Sequence, residues 1–256
     1  MNEELKSVID RAAGQISQRL PLVAFTGAGI SVESGIPPFR GKNGIWSKYD
    51  TRLLEIGYFY QNPESSWRAI RELFYLKFSG SRPNPAHQAL ASLECAGLLS
   101  AVITQNIDNL HQEAGSKNVF ELHGNAQRLI CMSCHRVSRP DEPVLRKLPP
   151  RCNCGGLLKP DFVFFGEPLP ETAWQRSVEA AASAGTLLVV GSTGEVMPAA
   201  QIPLIAGQHG ALIVEINPEP SHFSGKVSDI FLQGKAGEIL PELVARIMEH
   251  KNDLPE

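Results

Sequence analysis

Four cysteines fall in two close pairs, Cys131-Met-Ser-Cys134 and Cys152-Asn-Cys154, with 17 residues between the pairs. Thiolates spaced in this way can converge from a hairpin into a tetrahedral shell, and the interval lies in the range of a zinc ribbon. A shell of Cys131, Cys134, Cys152 and Cys154 has no open position, so the ion it implies is structural. The second pair has one intervening residue where two are usual, and His135 is near enough to stand as a substitute ligand. Gly155 and Gly156 follow directly, as a tight turn requires.

Three further groups carry potential chemistry. Gly27-Ala28-Gly29 ends an apolar run and precedes SVESG, where a helix is expected. Glycines there let the backbone approach a pyrophosphate, and helix N-terminal amides favour its charge, although a plain strand-to-helix turn would use the same residues. Gly35 comes six positions after Gly29 where the dinucleotide fingerprint wants three, so an ordinary dehydrogenase loop is not matched. Thr104-Gln105-Asn106-Ile107-Asp108 places amides and a carboxylate directly after another apolar run. Such groups can hold a carboxamide and order a water; Asn and Asp equally serve as helix caps. His123 ends NVFELHG, where an imidazole can act as a general base near neutral pH or simply be a structural histidine. The other six histidines have no comparable setting.

The elements that must position these groups are legible as short apolar runs. PLVAFTGAG, LLSAVIT (98–104), NVFELHG (118–124), GTLLVVGS (185–192), ALIVEIN (211–217) and SDIFLQG (228–234) read as strands buried on both faces. Helical patterns separate most of them, and Leu5, Val8, Ile9, Ala12, Ile16 and Leu20 give an amphipathic helix over residues 3–20. Alternating strands and helices imply an α/β fold with a parallel sheet, whose ligand site lies at the carboxyl ends of the strands. Gly27, Gln105, His123, Gly191 and Asn217 would then converge on one rim. Residues 36–80 and 125–160 interrupt the alternation and are assigned to a smaller module; Pro37, Pro38, Gly41 and Gly44 mark the first as opening in a mobile loop.

Composition limits the classes available. The chain has 256 residues, 43% hydrophobic and 20% charged, which is ample for a packed core. Its net charge of −3 comes without any lysine- or arginine-rich run, so direct nucleic-acid binding is not expected. The N-terminus has no apolar signal region and no segment approaches a membrane span, so a cytoplasmic location is expected, where paired cysteines favour metal over disulfide. Cys95, alone in a helical pattern, reads as a small buried apolar residue.

Taken in order, GAGISVESGIPPFRG (27–41), TQNIDNLH (104–111), ELHG (121–124), the four cysteines, KPDFVFFGEPLP (159–170), GST (191–193), EIN (215–217) and GKAGE (234–238) closely resemble the sirtuin family of NAD-dependent protein deacylases, from about residue 20 to residue 247. The resemblance implies a large doubly wound, Rossmann-like domain (1–35, 82–124 and 161–256) that binds NAD. It also implies a small zinc-ribbon and helical domain (36–81 and 125–160), with acyl-lysine protein or peptide in the cleft between. Carried over by position, Gly27, Ala28, Gly29, Phe39 and Arg40 would surround the pyrophosphate and nicotinamide-side ribose. Gln105, Asn106, Ile107 and Asp108 would line the nicotinamide pocket, with Asn106 and His123 catalytic and His123 the base. Gly191, Ser192, Thr193, Asn217 and Ala236 would hold the adenosine half, and Val163, Phe165, Gly166 and Glu167 would form a strand pairing with the substrate backbone. One structural zinc and a monomer are also implied. The acyl oxygen would attack the ribose carbon as nicotinamide leaves, under cover of Phe39, and the products would be lysine, nicotinamide and O-acyl-ADP-ribose.

Three positions depart from the family pattern: Pro38 before Phe-Arg, the Cys-Asn-Cys pair, and Ile70 and Leu73 where members preferring succinyl or malonyl groups carry Tyr and Arg. The last departure leads to an expectation of neutral acyl groups, acetyl above all. A mono-ADP-ribosyltransferase and a non-catalytic NAD-sensing module are the alternative readings of the same residues.

Overall fold

The computed structural model describes residues 3–39, 44–45, 49–76 and 80–252. In chain order the elements begin with α1 (Glu3–Ser17), β1 (Leu22–Thr26), α2 (Ile56–Gln61), α3 (Pro63–Ile70), α4 (Pro85–Cys95), β2 (Leu99–Thr104), α5 (Leu110–Glu113) and β3 (Val119–Glu121). There follow β4 (Gly124–Cys131), β5 (Val137–Ser138), α6 (Glu142–Leu145), β6 (Leu158–Phe162), α7 (Glu171–Ser183), β7 (Thr186–Val190), α8 (Gln201–Gln208), β8 (Leu212–Asn217), β9 (Ile230–Gln233) and α9 (Ala236–Asn252). No helix among the described residues is long and apolar enough to cross a membrane.

Six strands form one sheet in the order β3-β2-β1-β7-β8-β9, every neighbouring pair parallel. All six expected runs supply one strand each. Their continuous apolar character has a direct cause in β1. Leu22 and Ala24 enter the core beneath α1, α4 and α9, whereas Val23 and Phe25 enter the opposite core beneath α7 and α8. Successive side chains alternate between two covered faces, so no position can be polar without cost. The α1 stripe of Ile9, Ala12, Ala13 and Ile16 is buried on the first of these faces.

A second sheet, β5-β4-β6, is antiparallel and carries the cysteines. A third core joins it to the helical insertion through Phe59, Trp67, Ile70, Phe74, Leu129 and Phe164. Trp67 Nε1 donates to Leu158 O at 2.9 Å, which satisfies the one polar atom of a fully buried indole.

Three expectations are corrected. Cys95, expected to be buried, is exposed at the last position of α4. The SVESG helix is a 3-10 helix that begins at Ala28 and runs to Ser34, ended by Gly35 at φ 85°. The strand expected over Val163–Glu167 ends instead at Phe162. Beyond it Val163 N still donates to His123 O, and Phe165 makes a parallel bridge to Glu55, but the chain then turns at Gly166, φ 89°. The expected loop after Ile36 lies partly outside the described residues.

β1 and β7 stay paired to their last residues at the topological switch point, and the turns that follow them meet. A Cβ on Gly29 would stand 2.5 Å from Gly191 Cα, and one on Gly27 would stand 2.7 Å from Gly191 O. Gly29→Ala is therefore expected to cost about 1–3 kcal/mol through overpacking. Gly57, within α2 and with nothing within 4 Å of its would-be Cβ, provides the opposite sign. Gly57→Ala should stabilise by about 0.4–1 kcal/mol. Denaturant unfolding of both variants measures the pair; equal shifts would contradict the packing argument.

Candidate active site

The carboxyl ends of the strands hold a connected set of polar side chains. At the end of β2, Gln105 Nε2 donates to Ser192 Oγ at 2.9 Å, tying the loop after β2 to the loop after β7. Asn217, ending β8, donates through Nδ2 to Ser192 O at 3.1 Å. Gly29 N donates to Gly191 O at 2.9 Å, so the loop after β1 is held to the same point. His123 is half-buried just past β3, and its Nδ1 lies 2.9 Å from Gln105 O. A carbonyl can only accept, so Nδ1 carries the proton and Nε2 is left with a lone pair. Burial pushes its pKa below the ordinary imidazole value, against the smaller opposing effect of the Gln105 carbonyl. A neutral base at physiological pH results.

Behind these groups lies a buried network that the sequence did not disclose. Ser31 Oγ donates to Asp108 Oδ2 at 2.7 Å and accepts from Asn106 Nδ2 at 3.2 Å. His87 Nδ1 accepts from Asn84 N at 3.4 Å, which leaves its Nε2 to donate to Ser31 Oγ, also at 3.4 Å. Thr26 Oγ1 donates to Thr104 Oγ1 at 2.8 Å and lies 2.9 Å from His111 Nε2. The two imidazoles meet with ring centroids 4.9 Å apart. Burial holds both neutral, with His87 pushed down to about 4 and His111 to about 3, the latter also by the charge His87 would carry. Burial raises the Asp108 carboxyl, opposed by hydrogen bonds from Leu110 N and Ser31.

A cavity of about 350 Å³ opens beside this network and is lined by Ala28, Phe39, Arg71, Phe74, Asn106, Ile107 and Asp108 among others. Among the described residues Asn106 Oδ1 is buried with no hydrogen-bond partner, although its own Nδ2 is engaged. An orphaned amide acceptor at 5% exposure fits a donor from a bound ligand, and the carboxamide NH2 of NAD is such a donor. Phe39 lies 6.4 Å from Phe74 by ring centroid, at the mouth of the helical insertion. Residues Arg71–Leu76 are wound as a π-helix. Ile70 and Leu73 enter the core, and Arg71, Phe74 and Tyr75 line the cavity instead.

Of the other residues singled out from sequence, Thr193 O accepts from His222 N, and Ala236 opens α9, where Gly237 N donates to Glu33 Oε2 at 2.7 Å. Arg40 lies outside the described residues. Glu167 faces back into its own turn: Oε2 accepts from Phe164 N at 2.8 Å and lies 2.9 Å from Lys159 Nζ. Phe165 remains 43% exposed beside it.

The four cysteine sulfurs all lie within 4.8 Å of one another. Cys131 and Cys154 are 3.5 Å apart and Cys134 and Cys152 3.8 Å apart, against about 3.8 Å for the edge of a tetrahedron with zinc–sulfur bonds. The short Cys152-Asn-Cys154 chelate reaches the cluster, and His135 does not belong to it. Gly156 is required by the same crowding, since a Cβ there would stand 2.7 Å from Cys131 Sγ. The donor set fits one structural zinc.

Residues 27–198 match the model of the Sir2 family. This chain belongs to that family. Among the relatives of this Sir2 protein, an NAD-dependent protein deacylase 2 of Pyrobaculum aerophilum is 50% identical over 230 residues, covering 88% of this chain and 90% of its own. A solved Sir2 homologue in complex with NAD is 41% identical at a TM-score of 0.85, covering 93% of each chain. A solved Sir2 protein holding a deacetylated p53 peptide and 3′-O-acetyl-ADP-ribose is 38% identical at a TM-score of 0.84, covering 93% of this chain and 96% of its own.

The two neutral imidazoles give this Sir2 protein a defined acid sensitivity. Free histidines take up protons below a pKa of about 6.5, whereas His87 and His111 in the fold resist until about 4 and 3. Their contribution is thus present above pH 6.5 and is lost as pH falls, because the unfolded chain binds two protons that the folded one refuses. The slope approaches about 2.7 kcal/mol per pH unit for the pair. Urea midpoints at pH 7, 6 and 5 should fall steadily, and His87→Gln with His111→Gln should flatten that fall; an unchanged slope in the double variant would contradict the assignment.

Proposed function

We propose that this protein removes acyl groups from protein lysines in an NAD-dependent reaction, giving free lysine, nicotinamide and O-acyl-ADP-ribose. The observation that carries the reading is the pairing of a fixed, neutral His123 with the orphaned acceptor of Asn106 on one rim. NAD, when bound, supplies the ADP-ribosyl group that receives the acyl oxygen. The residues then divide the remaining work.

Gly27, Ala28 and Gly29 let the backbone approach the pyrophosphate, with Arg40 as its cation. Asn106, Ile107 and Asp108 receive the nicotinamide, where Asn106 Oδ1 accepts from the carboxamide and the Ser31 bond keeps Asn106 Nδ2 occupied. Phe39 covers the reacting ribose carbon and keeps bulk water away. His123 Nε2 takes a ribose hydroxyl proton, and the Gln105 carbonyl fixes the tautomer that makes this possible. Gly191, Ser192, Thr193, Asn217 and Ala236 hold the adenosine half. Val163, Phe165 and Gly166 offer backbone to the peptide, whereas Glu167 braces their turn through Phe164 N and Lys159.

The expectation of neutral acyl groups rested on Ile70 and Leu73, which the fold places in the core. Arg71 stands in the cavity wall. A guanidinium there supports an acidic acyl end as a second specificity, because a carboxylate would gain a charge-assisted partner. The test is one assay with acetyl-, myristoyl- and succinyl-lysine peptides, with and without NAD, read by mass spectrometry. NAD-dependent removal of acyl groups, lost at least 100-fold in His123→Ala as expected for a general base, supports the function. Arg71→Ala should lower succinyl turnover about tenfold relative to acetyl. NAD consumption with ADP-ribose transferred to protein would favour transferase chemistry, and binding without turnover would leave only a sensing module.

A further inference from the structure

The most unusual charge in the large sheet is Glu215. It sits in β8, two residues before its end, and is 0% exposed. No cation pairs with it among the described residues. Side-chain donors surround it instead: Asn217 Nδ2 gives Oε1 a bond of 2.9 Å, Ser224 and Ser228 give Oε2 bonds of 2.8 and 2.7 Å, and the Ser221 hydroxyl also lowers its pKa by hydrogen bonding. Burial opposes ionisation, but the hydrogen bonds outweigh it and hold the carboxyl below its ordinary range. An isolated buried carboxylate is costly, so a site that retains one by hydrogen bonds alone uses it for orientation.

What it orients follows from the donor count. An amide NH2 has two hydrogens, and both of those on Asn217 are spent, one on Glu215 Oε1 and one on Ser192 O. Both partners can only accept, which fixes the flip of the amide. Asn217 therefore presents Oδ1, an acceptor, to whatever lies beyond the strand. The same carboxylate anchors the segment after β8. Ser224 and Ser228 hang from it, Phe223 packs 6.5 Å from Phe25 by ring centroid, and His222 N donates to Thr193 O at 3.0 Å. One buried anion thus sets the polarity of Asn217 and holds the loop that borders Thr193.

Resting on the NAD reading above, we infer that Glu215 is a positioning residue for the adenosine half of the cofactor, acting through Asn217 by forcing its amide to accept a hydrogen bond from the bound nucleoside. The donor it selects is a ribose hydroxyl or the adenine amine. Glu215→Gln keeps the shape but supplies a donor in place of one acceptor, which leaves Ser192 O as the single group that still holds the Asn217 amide in this flip.

The test measures ADP-ribose affinity by calorimetry alongside steady-state kinetics. In Glu215→Gln, Kd for ADP-ribose and KM for NAD are expected to rise about tenfold, the loss of one hydrogen bond from the nucleoside to Asn217 Oδ1, while kcat and KM for the acyl peptide change less than about twofold. In an Asn217→Ala background the Glu215→Gln effect on ADP-ribose should vanish, because the two residues act as one unit. Ser224→Ala with Ser228→Ala spares the Asn217 bond, so it should lower thermal stability and leave ADP-ribose affinity within about twofold. That variant also serves should Glu215→Gln not fold. Wild-type protein that binds ADP-ribose together with a Glu215→Gln variant of equal affinity would overturn this inference alone. An equal loss in the serine variant would assign the effect to the loop and overturn it too. Wild-type protein that fails to bind ADP-ribose would overturn the NAD reading with it.

Discussion

Two backbone turns touch at the switch point of the sheet, and the active site is arranged around that contact. The loop after β1 meets the loop after β7 with no room for a Cβ at Gly27 or Gly29. Gly27 N is tied to Val190 O at 3.0 Å and Gly29 N to Gly191 O at 2.9 Å. Glycine is usually credited at such turns with letting a ligand in; here the first demand comes from the protein's own backbone. Once the turns are fused, Ser192 falls within reach of both Gln105 and Asn217, and one carbonyl and one hydroxyl align three loops. The parallel order of the strands does the rest, since each delivers its polar residue at the same edge.

Chemistry at that edge depends on polar groups whose protonation is settled by burial rather than by neighbouring charge. His87, His111 and His123 are all held neutral, and each is oriented by hydrogen bonds or close polar contacts. Desolvation makes such groups expensive unless nearly every donor and acceptor is satisfied. The exceptions are therefore informative. Asn106 Oδ1 and His111 Nδ1 are buried without partners among the described residues, in a network whose other members are hydrogen-bonded, and the first of them borders the cavity. Glu215 follows the opposite logic, keeping a charge by gathering donors. In both cases the energetic cost fixes one orientation of an amide.

The sheet was legible because both of its faces are covered, which turns each strand into an uninterrupted apolar run. The rim residues were legible because they follow those runs, and the metal cluster because cysteine spacing is a local property. What escaped depends on contacts across long stretches of chain. Ser31 and His87 are separated by 56 positions, and nothing near His87 in sequence distinguishes it from a capping residue, which it also is. The winding of Arg71–Leu76 as a π-helix is likewise not written in the local pattern, and the fold buries Ile70 and Leu73 while Arg71 stands in the cavity wall. The family resemblance puts Glu167 on a strand that contacts substrate, yet Lys159 and Phe164 N draw its carboxylate inward. The strand expected there stops because β4, its pairing partner, begins at Gly124 opposite Phe162.

The central claim is that nicotinamide handling and acyl transfer belong to different parts of one rim, with Asn106 serving the first and His123 the second. Exchange of labelled nicotinamide into NAD, in the presence of an acyl peptide, separates them in a single measurement. His123→Ala should retain exchange within about tenfold while forming no deacylated peptide, because the base acts only after nicotinamide has left. Loss of exchange and deacylation together in a folded His123→Ala protein would contradict the division and place the imidazole in the first step.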